Sequence, residues 1–216
     1  MGPPEVRAAS PLADPWLDRW LPLLRDAAAT RPVLELGCDT GIDTAWLLDH
    51  GFAVTATDIA SGALAACARR APGAQLLVHD LREPMPFADG QFGAALASLC
   101  LHYFPWQVTQ DAVAEILRCL TPGGVLLCRL NSTRDVFHGA TGFEAIEPNY
   151  YRVNGRYGEN KRFFDRPAVD ALFGHAWQVL GVEEHTIHRY DQPKVVWEVI
   201  LRKAGATAGR DLSSGA

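Results

Sequence analysis

Hydrophobic residues along the chain fall into two alternating patterns, short continuous runs and longer segments with helical spacing. The runs "PVLEL", "FAVTATD", "AQLLVHD", "QFGAALASL" and "VLLCRL" are typical of strands that are buried on both faces. Between the last two runs, residues 105–120 place Val108, Ala112, Ile116 and Leu120 on one helical face. This alternation predicts βαβ units, and therefore an α/β fold built on a parallel sheet.

Two helix starts are predicted from residues that commonly cap helices. Asp14 precedes Pro15, which predicts a helix opening capped by the Asp14 side chain, and Pro22 then predicts a kink or break. Ser61 is the expected cap of the helix that follows the second strand. We therefore expect a helical N-terminal segment over residues 1–30, ahead of the first strand.

The alternation breaks after the fifth strand. Residues 131–165 contain Asn154-Gly155 between aromatic and branched residues, which predicts a hairpin turn within an inserted lid. A short helix near 166–173 follows, and then strands near 176–189 and 194–202. Their link "YDQP" is so short that the two strands must be antiparallel neighbours.

The last predicted strand alternates, with one set of apolar side chains on a single side: Val195, Trp197, Val199 and Leu201. Together the elements predict a Rossmann-like, seven-stranded, mostly parallel sheet with a C-terminal antiparallel hairpin and helices on both faces. The main domain is expected to span residues 31–203. Residues 204–216 are small and polar, which predicts a disordered tail.

Composition limits the classes of partner. The chain has 216 residues, of which 48% are hydrophobic and 21% charged, which suits one α/β domain with a large core. A net charge of −5 argues against a nucleic-acid partner. The N-terminus lacks an apolar signal and no run is long enough to cross a membrane, so we expect no membrane partner. A monomer and a homodimer are both open.

The five cysteines are scattered and form no C-x-x-C pair: Cys38, Cys67, Cys100, Cys119 and Cys128. This pattern is typical of reduced, mostly buried thiols in a cytoplasmic protein, and not of a disulfide framework or a zinc site. No metal is expected.

Small and acidic residues follow the first three strands. The first strand leads into a turn with Gly37 and Gly41, the second ends at Asp58, and the third ends at Asp80. In an open parallel sheet, ligands bind beyond these carboxyl ends, where the strand order reverses. Glycines let the backbone approach a ligand, and Asp58 could accept hydrogen bonds from both hydroxyls of a ribose. With Asp80 able to accept from an adenine amino group, these residues suit an adenosine.

The residue between the two glycines indicates which adenosine cofactor fits. Asp39 stands where a dinucleotide-binding turn would need room for a pyrophosphate, and its carboxylate would repel one. S-adenosylmethionine instead carries a sulfonium and an ammonium and no phosphate, so the charge favours this cofactor over NAD. Aspartate also tolerates a left-handed backbone, so the turn need not collapse.

Three segments resemble successive motifs of the class I S-adenosylmethionine-dependent methyltransferases. They are "VLELGCDTGIDTAWLLDHGFAVTATDIA", "LLVHDLREPMPFADGQFGAALASLCLHYF" and "ILRCLTPGGVLLCRLNS". The resemblance covers about residues 31–202. Within the family the chain is similar to the small-molecule branch that includes tellurite-resistance-type methyltransferases and uncharacterised bacterial members. The family usually has glycine where this chain has Asp39.

The resemblance implies a role for each matching residue. Glu35 would hold the methionine ammonium group, directly or through water. Asp58 would hold the ribose, and Asp80 with the Leu81 backbone would hold the adenine. Ser98 and Leu99 would line the methionine side. The complete set of expected cofactor-binding residues is Glu35, Gly37, Cys38, Asp39, Gly41, Asp58, Ile59, Asp80, Leu81, Ser98 and Leu99.

Residues after the fourth and fifth strands are candidates for catalysis and acceptor binding. His102 is the candidate base because its pKa would lie near neutrality, and Tyr103 is its neighbour; packing under a lid is the alternative. Arg129 either holds an anionic substrate or pairs with Glu144 or Glu147. The expected substrate-binding residues are Arg129, Asn131, Tyr150, Tyr151 and Phe163.

The favoured function is transfer of the sulfonium methyl group to a small-molecule acceptor by in-line displacement. The donor is already activated, so positioning can supply most of the catalysis and no compact triad is required. The alternative is a protein that binds S-adenosylmethionine without turnover, as a sensor or assembly partner. A nicotinamide dehydrogenase is a third possibility, one that predicts a thermal shift with NAD.

Overall fold

A seven-stranded sheet forms the centre of the computed structural model, which describes residues 14–155 and 158–205. The strands of this sheet are β1 (Val33–Leu36), β2 (Val54–Asp58), β3 (Gln75–Val78), β4 (Phe92–Ser98), β5 (Leu120–Asn131), β9 (Trp177–Ile187) and β10 (Lys194–Lys203). Their order is β3-β2-β1-β4-β5-β10-β9, and β10 alone runs against its neighbours. The predicted mostly parallel sheet with a C-terminal antiparallel pair is therefore confirmed.

Within the described residues, five α-helices cover the two faces of this sheet. They are α1 (Leu21–Ala27), α2 (Ile42–Asp49), α3 (Ser61–Arg70), α4 (Trp106–Cys119) and α5 (Arg166–Phe173). One core cluster joins α4 and α5 to the sheet, and a second joins α1, α2 and α3 to the opposite face. At the second face, a Cβ on Gly93 would lie 2.2 Å from the Ala27 carbonyl oxygen, so glycine permits α1 to pack directly on β4.

The predicted N-terminal helix opening is wrong. Residues Asp18–Trp20 form a 3-10 turn that leads into α1, so Pro22 lies in the first helical turn, where its missing N–H costs nothing. Asp14 caps no helix, because its carboxylate pairs with Arg129 in β5. Ser61 does not cap α3 either. The Asp58 side chain accepts the nearby Ala60 N–H instead.

A separate three-stranded antiparallel sheet lies within residues 131–165. It consists of β6 (Glu144–Glu147), β7 (Tyr150–Gly155) and β8 (Gly158–Arg162). A hairpin was predicted here, but its turn is not at Asn154-Gly155, because β7 continues to Gly155, which pairs with Gly158. Residues 156–157 lie outside the described part of the chain, and so does most of the predicted tail.

Both faces of β10 are covered, not one. Besides the predicted apolar side, the structure buries Val196, Glu198 and Ile200 on the other side. The reason is that β10 lies between β5 and β9 inside the sheet, where the segment before α1 reaches it. Glu198 accepts hydrogen bonds there from the Arg19 guanidinium and, at 2.7 Å, from the Trp20 indole N–H.

Among the described residues, no helix combines the length and the hydropathy needed to span a bilayer.

Candidate active site

The turn between β1 and α2 follows the backbone path that its glycines predicted. Gly37, Asp39 and Gly41 all have positive φ, at 64°, 46° and 78°. A Cβ on Gly37 would lie 2.6 Å from the Cys100 Cβ, and one on Gly41 would lie 2.6 Å from the Cys67 Sγ. Glycine is thus required at both ends of the turn, whereas Asp39 adopts the left-handed conformation with an exposed side chain.

Asp58 is tied to this turn by its side chain. Its Oδ2 accepts the Asp39 N–H at 3.0 Å and its Oδ1 accepts the Ala60 N–H at 2.9 Å. A carboxylate has about four lone-pair positions, so each oxygen can accept one more hydrogen bond. Ile59, directly after it, is 59% exposed. The end of β2 therefore offers a fixed acceptor pair beside an apolar side chain.

Glu35 is buried behind the turn. Its Oε2 accepts the Thr44 hydroxyl at 2.6 Å. Burial, followed by the nearby charge of Asp43, raises the pKa of Glu35 to about 8. The pKa of Asp43 is raised as well, mainly by burial. In the free protein at neutral pH, Glu35 is thus mainly a protonated acid, and a cation beside it would favour the ionised form.

The Asp80 side chain stabilises the turn that follows β3. Its Oδ1 accepts the Arg82 N–H at 3.0 Å, and the Arg82 Nε lies 2.9 Å from each carboxylate oxygen. These hydrogen bonds lower the pKa of Asp80. Its contact with adenine stays a prediction, as does that of the half-buried Leu81.

The end of β4 carries an uncommon backbone conformation. Leu99 has φ 58°, a left-handed value that is rare for a bulky residue, and its N–H donates to the Arg129 carbonyl at 2.9 Å. The preceding Ser98 accepts the Arg129 Nε at 2.9 Å. These bonds fix the two residues expected to line the methionine side.

Arg129 is fully buried and pairs with neither Glu144 nor Glu147, which corrects the predicted partners. Its guanidinium pairs with Asp14 and lies 4.3 Å from the Trp16 ring centroid. Glu144 and Glu147 pair with Arg152 and Arg162 instead. The Trp16 indole N–H donates to Asp43 at 3.2 Å, so residues 14–16 cover this edge of the sheet.

The premise that His102 has a pKa near neutrality is wrong. The side chain is 2% exposed, and burial lowers its pKa well below the usual value, with further lowering by Lys194 and Lys161. Its ring is neutral at physiological pH and packs against the Tyr103 ring, with 4.2 Å between the two ring centroids. A neutral imidazole can still hydrogen-bond an acceptor, but this one is a weak base.

The other predicted substrate residues occupy different environments. Tyr150 is buried, and its hydroxyl donates to the Tyr103 carbonyl at 3.2 Å. Phe163 is 1% exposed in a small hydrophobic cluster with Val153 and Ala140, and the partly buried Tyr151 packs against this cluster. Asn131 is fully buried at the end of β5, and neither atom of its amide has a partner in the described part of the chain.

Several residues of this edge were not among the predicted site residues: Asp14, Asp43, Thr44, Asp135, Lys161, Arg189 and Lys194. Thr44 and Asp43 could have been found, because they follow Gly41 in the first turn of α2. The others reach this edge from segments that are distant in sequence, so no local sequence pattern predicts their position. Within residues 14–155 and 158–205, no cluster of three His, Cys, Asp or Glu is arranged to hold a metal ion.

Comparison with known proteins identifies a domain in this chain. Residues 33–124 match a family model described as a methyltransferase domain. The chain is 36% identical over 121 residues to demethylmenaquinone methyltransferase of Beutenbergia cavernae, covering 54% of this chain and 49% of that protein. The chain thus matches half or less of the length of the curated relatives.

Solved structures share the fold at low identity. A crystal structure of an S-adenosylmethionine-dependent methyltransferase from Methanosarcina mazei has a TM-score of 0.70 at 18% identity, covering 85% of this chain and 97% of that one. The 1,6-didemethyltoxoflavin-N1-methyltransferase of Burkholderia thailandensis, solved with S-adenosylhomocysteine, has a TM-score of 0.61 at 22% identity, covering 88% and 81%. Membership of the tellurite-resistance branch stays a prediction.

Proposed function

Because the chain belongs to the class I S-adenosylmethionine-dependent methyltransferase family, we propose that it transfers a methyl group to a small-molecule acceptor. The observation that carries this proposal is the link between the glycine turn and the carboxylate that ends β2. Asp58 accepts the Asp39 N–H, so one rigid unit presents both a close backbone approach and a free acceptor pair.

The residues at this edge fit the cofactor by charge. Asp39 and Asp58 make this edge acidic, and Glu35 would add a negative charge once it ionises beside an ammonium group. This charge suits a sulfonium and an ammonium and disfavours phosphate. The glycines leave space that a Cβ would occupy, so the backbone can contact a ligand directly. When bound, S-adenosylmethionine supplies a methyl group already activated for displacement by a nucleophile.

The chain's own residues then position the acceptor and exclude water. Ser98 and Leu99 are fixed by Arg129 at the end of β4, and His102 and Tyr103 lie in the short 3-10 turn that comes next. We assign residues 131–165 the role of a lid that selects the acceptor, since β8 packs on the segment that carries His102. Catalysis by positioning needs no strong base, which agrees with the weak basicity of His102, whose pKa burial lowers.

A labelled-donor assay tests this function. The full chain is incubated with methyl-labelled S-adenosylmethionine and a panel of phenols, thiols, amines and carboxylic acids, and transfer is followed by mass spectrometry. We expect a methylated product and an equal amount of S-adenosylhomocysteine. Tight cofactor binding with no transfer to any acceptor class would instead support a sensor.

Cofactor binding should release a proton. Glu35 is mainly protonated below its pKa of about 8 and would ionise beside the cofactor's ammonium, so affinity should rise as pH increases toward 8 and level off above it. Calorimetry with S-adenosylhomocysteine at pH 7, in buffers of different ionisation enthalpy, should report release of about one proton. Glu35→Gln should release almost none, whereas Glu144→Gln, an exposed control, should behave as wild type. A buffer-independent enthalpy for the wild type would contradict the prediction.

Asp39→Gly should preserve cofactor binding. The structure uses the Asp39 backbone N–H, not its side chain, to hold Asp58. Glycine relieves the left-handed strain but makes the unfolded chain more flexible, so stability should change by less than about 1 kcal/mol. We expect the affinity for S-adenosylhomocysteine, measured by calorimetry, to stay within about threefold of wild type. A loss of about tenfold or more would show that the carboxylate itself contacts the cofactor.

A further inference from the structure

A group of basic side chains lies on the acceptor side of the cofactor edge, around the buried ring of His102. We call Lys161, Lys194 and His102, with their carboxylate Asp135, the basic cluster. Lys194 is buried at the start of β10, and its Nζ donates to the Asp135 Oδ2 at 2.8 Å. The other oxygen of Asp135 lies 2.8 Å from the His138 Nδ1 and accepts the Val195 N–H at 3.3 Å.

Positive charge exceeds negative charge in the basic cluster. Asp135 is already occupied by Lys194 and His138, so it balances one lysine at most. Lys161 is half-buried and forms no hydrogen bond or salt bridge with any residue in the described ranges. Burial lowers the pKa of both lysines, and each lysine also lowers the pKa of His102. An unbalanced, partly desolvated cation is costly unless something pairs with it.

Buried polar atoms without partners lie beside this charge. Asn131 pairs in register with Val196, two residues along β10 from Lys194, so Asn131 and Lys194 project from the same face of the sheet. Both amide atoms of Asn131 and the Nδ1 of His102 lack partners in the described part of the chain. Native proteins rarely leave buried polar atoms unpaired, and a bound ligand is one reason for such an exception.

We propose that the methyl acceptor is an organic anion, and that its carboxylate binds between the Lys161 ammonium and the Asn131 amide. This inference rests on the proposed methyl transfer and specifies the substrate class for it. The carboxylate would accept from Lys161 Nζ and Asn131 Nδ2, satisfying a free charge and an unpaired donor together. Lys161 lies in β8 of the lid and Asn131 in the main sheet, so the same anion would join the lid to the sheet.

Paired probes test this assignment in the full chain loaded with S-adenosylhomocysteine. Calorimetry compares benzoate with benzamide and 2-naphthoate with 2-naphthamide, which differ in charge but barely in shape. We expect each carboxylate to bind wild type at least about tenfold more tightly than its amide. Lys161→Met should reduce this preference to less than about twofold, and Lys161→Arg, which keeps the charge, should retain most of it.

Arg152→Gln is the matched control, because it removes an exposed positive charge from the same lid sheet. This variant should keep the carboxylate preference of wild type. The proposal is overturned if loaded wild type shows no carboxylate preference, or if the preference survives in Lys161→Met. A folded protein that takes up no S-adenosylhomocysteine would instead overturn the proposed function itself, so the two failures are distinguishable.

Discussion

Replacing Asp58 with alanine should reduce the affinity for S-adenosylhomocysteine by about 100-fold or more. The variant loses the proposed acceptor pair for the ribose hydroxyls, and hydrogen bonds to a charged group contribute about 1.5–3 kcal/mol each. It also frees the Asp39 and Ala60 N–H groups that the carboxylate holds in the wild type. Both losses act on the cofactor side, so the effect should be large.

Two further variants separate charge from shape at this position. Asp58→Asn keeps the size of the side chain and one acceptor oxygen, so it should lie between wild type and Asp58→Ala. Asp49→Ala removes an exposed carboxylate at the end of α2 and should bind as wild type does. Calorimetry measures each affinity, and urea unfolding checks that each variant is folded. Wild-type affinity in folded Asp58→Ala would exclude Asp58 from the cofactor site.

Asp14→Asn should lower the free energy of unfolding by about 3 kcal/mol. Arg129 is fully buried in β5, and Asp14 is the carboxylate that balances its charge. Removing one partner of a buried pair leaves the other charge uncompensated, which costs far more than the net value of the intact pair. The same substitution should loosen Trp16, whose ring packs on the Arg129 guanidinium.

A double-mutant cycle identifies the charge as the cause. Adding Arg129→Met to Asp14→Asn removes the unpaired cation, so the double variant should be clearly more stable than Asp14→Asn alone. Asp18→Asn, which affects an exposed hydrogen bond from Trp46, should change stability by less than about 0.5 kcal/mol. Urea titrations followed by circular dichroism give the free energy of unfolding of wild type, both single variants of the cycle, the double variant and the Asp18→Asn control. Equal stabilities for Asp14→Asn and wild type would contradict the prediction.

Local patterns predicted the elements whose causes are local. The five parallel strands follow from apolar runs, and α5 begins where Asp165 caps it, with the side chain accepting the Ala168 N–H at 2.9 Å. The left-handed turn at Gly37–Gly41 was likewise visible, because glycine and aspartate are the residues that tolerate it. In each of these elements, residues that are close together in the sequence determine the backbone conformation.

The errors concern interactions between distant parts of the chain. Asp14 looked like a helix cap because a proline follows it, but a buried arginine 115 residues away binds its carboxylate. Asn154-Gly155 favours a turn, yet β7 stays paired with β8 as far as Gly155, whose partner is Gly158. The basic cluster collects residues from β8, β10 and the segments after β4 and β5, so no spacing in the sequence could indicate it. Tertiary contacts override local preference in each case.

A crystal structure of the protein with S-adenosylhomocysteine tests the central claim most directly. The ligand should lie across the ends of β1, β2 and β4, with both ribose hydroxyls within hydrogen-bonding distance of Asp58 and the amino group next to Glu35. Electron density for the ligand elsewhere, or a ribose that does not contact Asp58, would contradict the account.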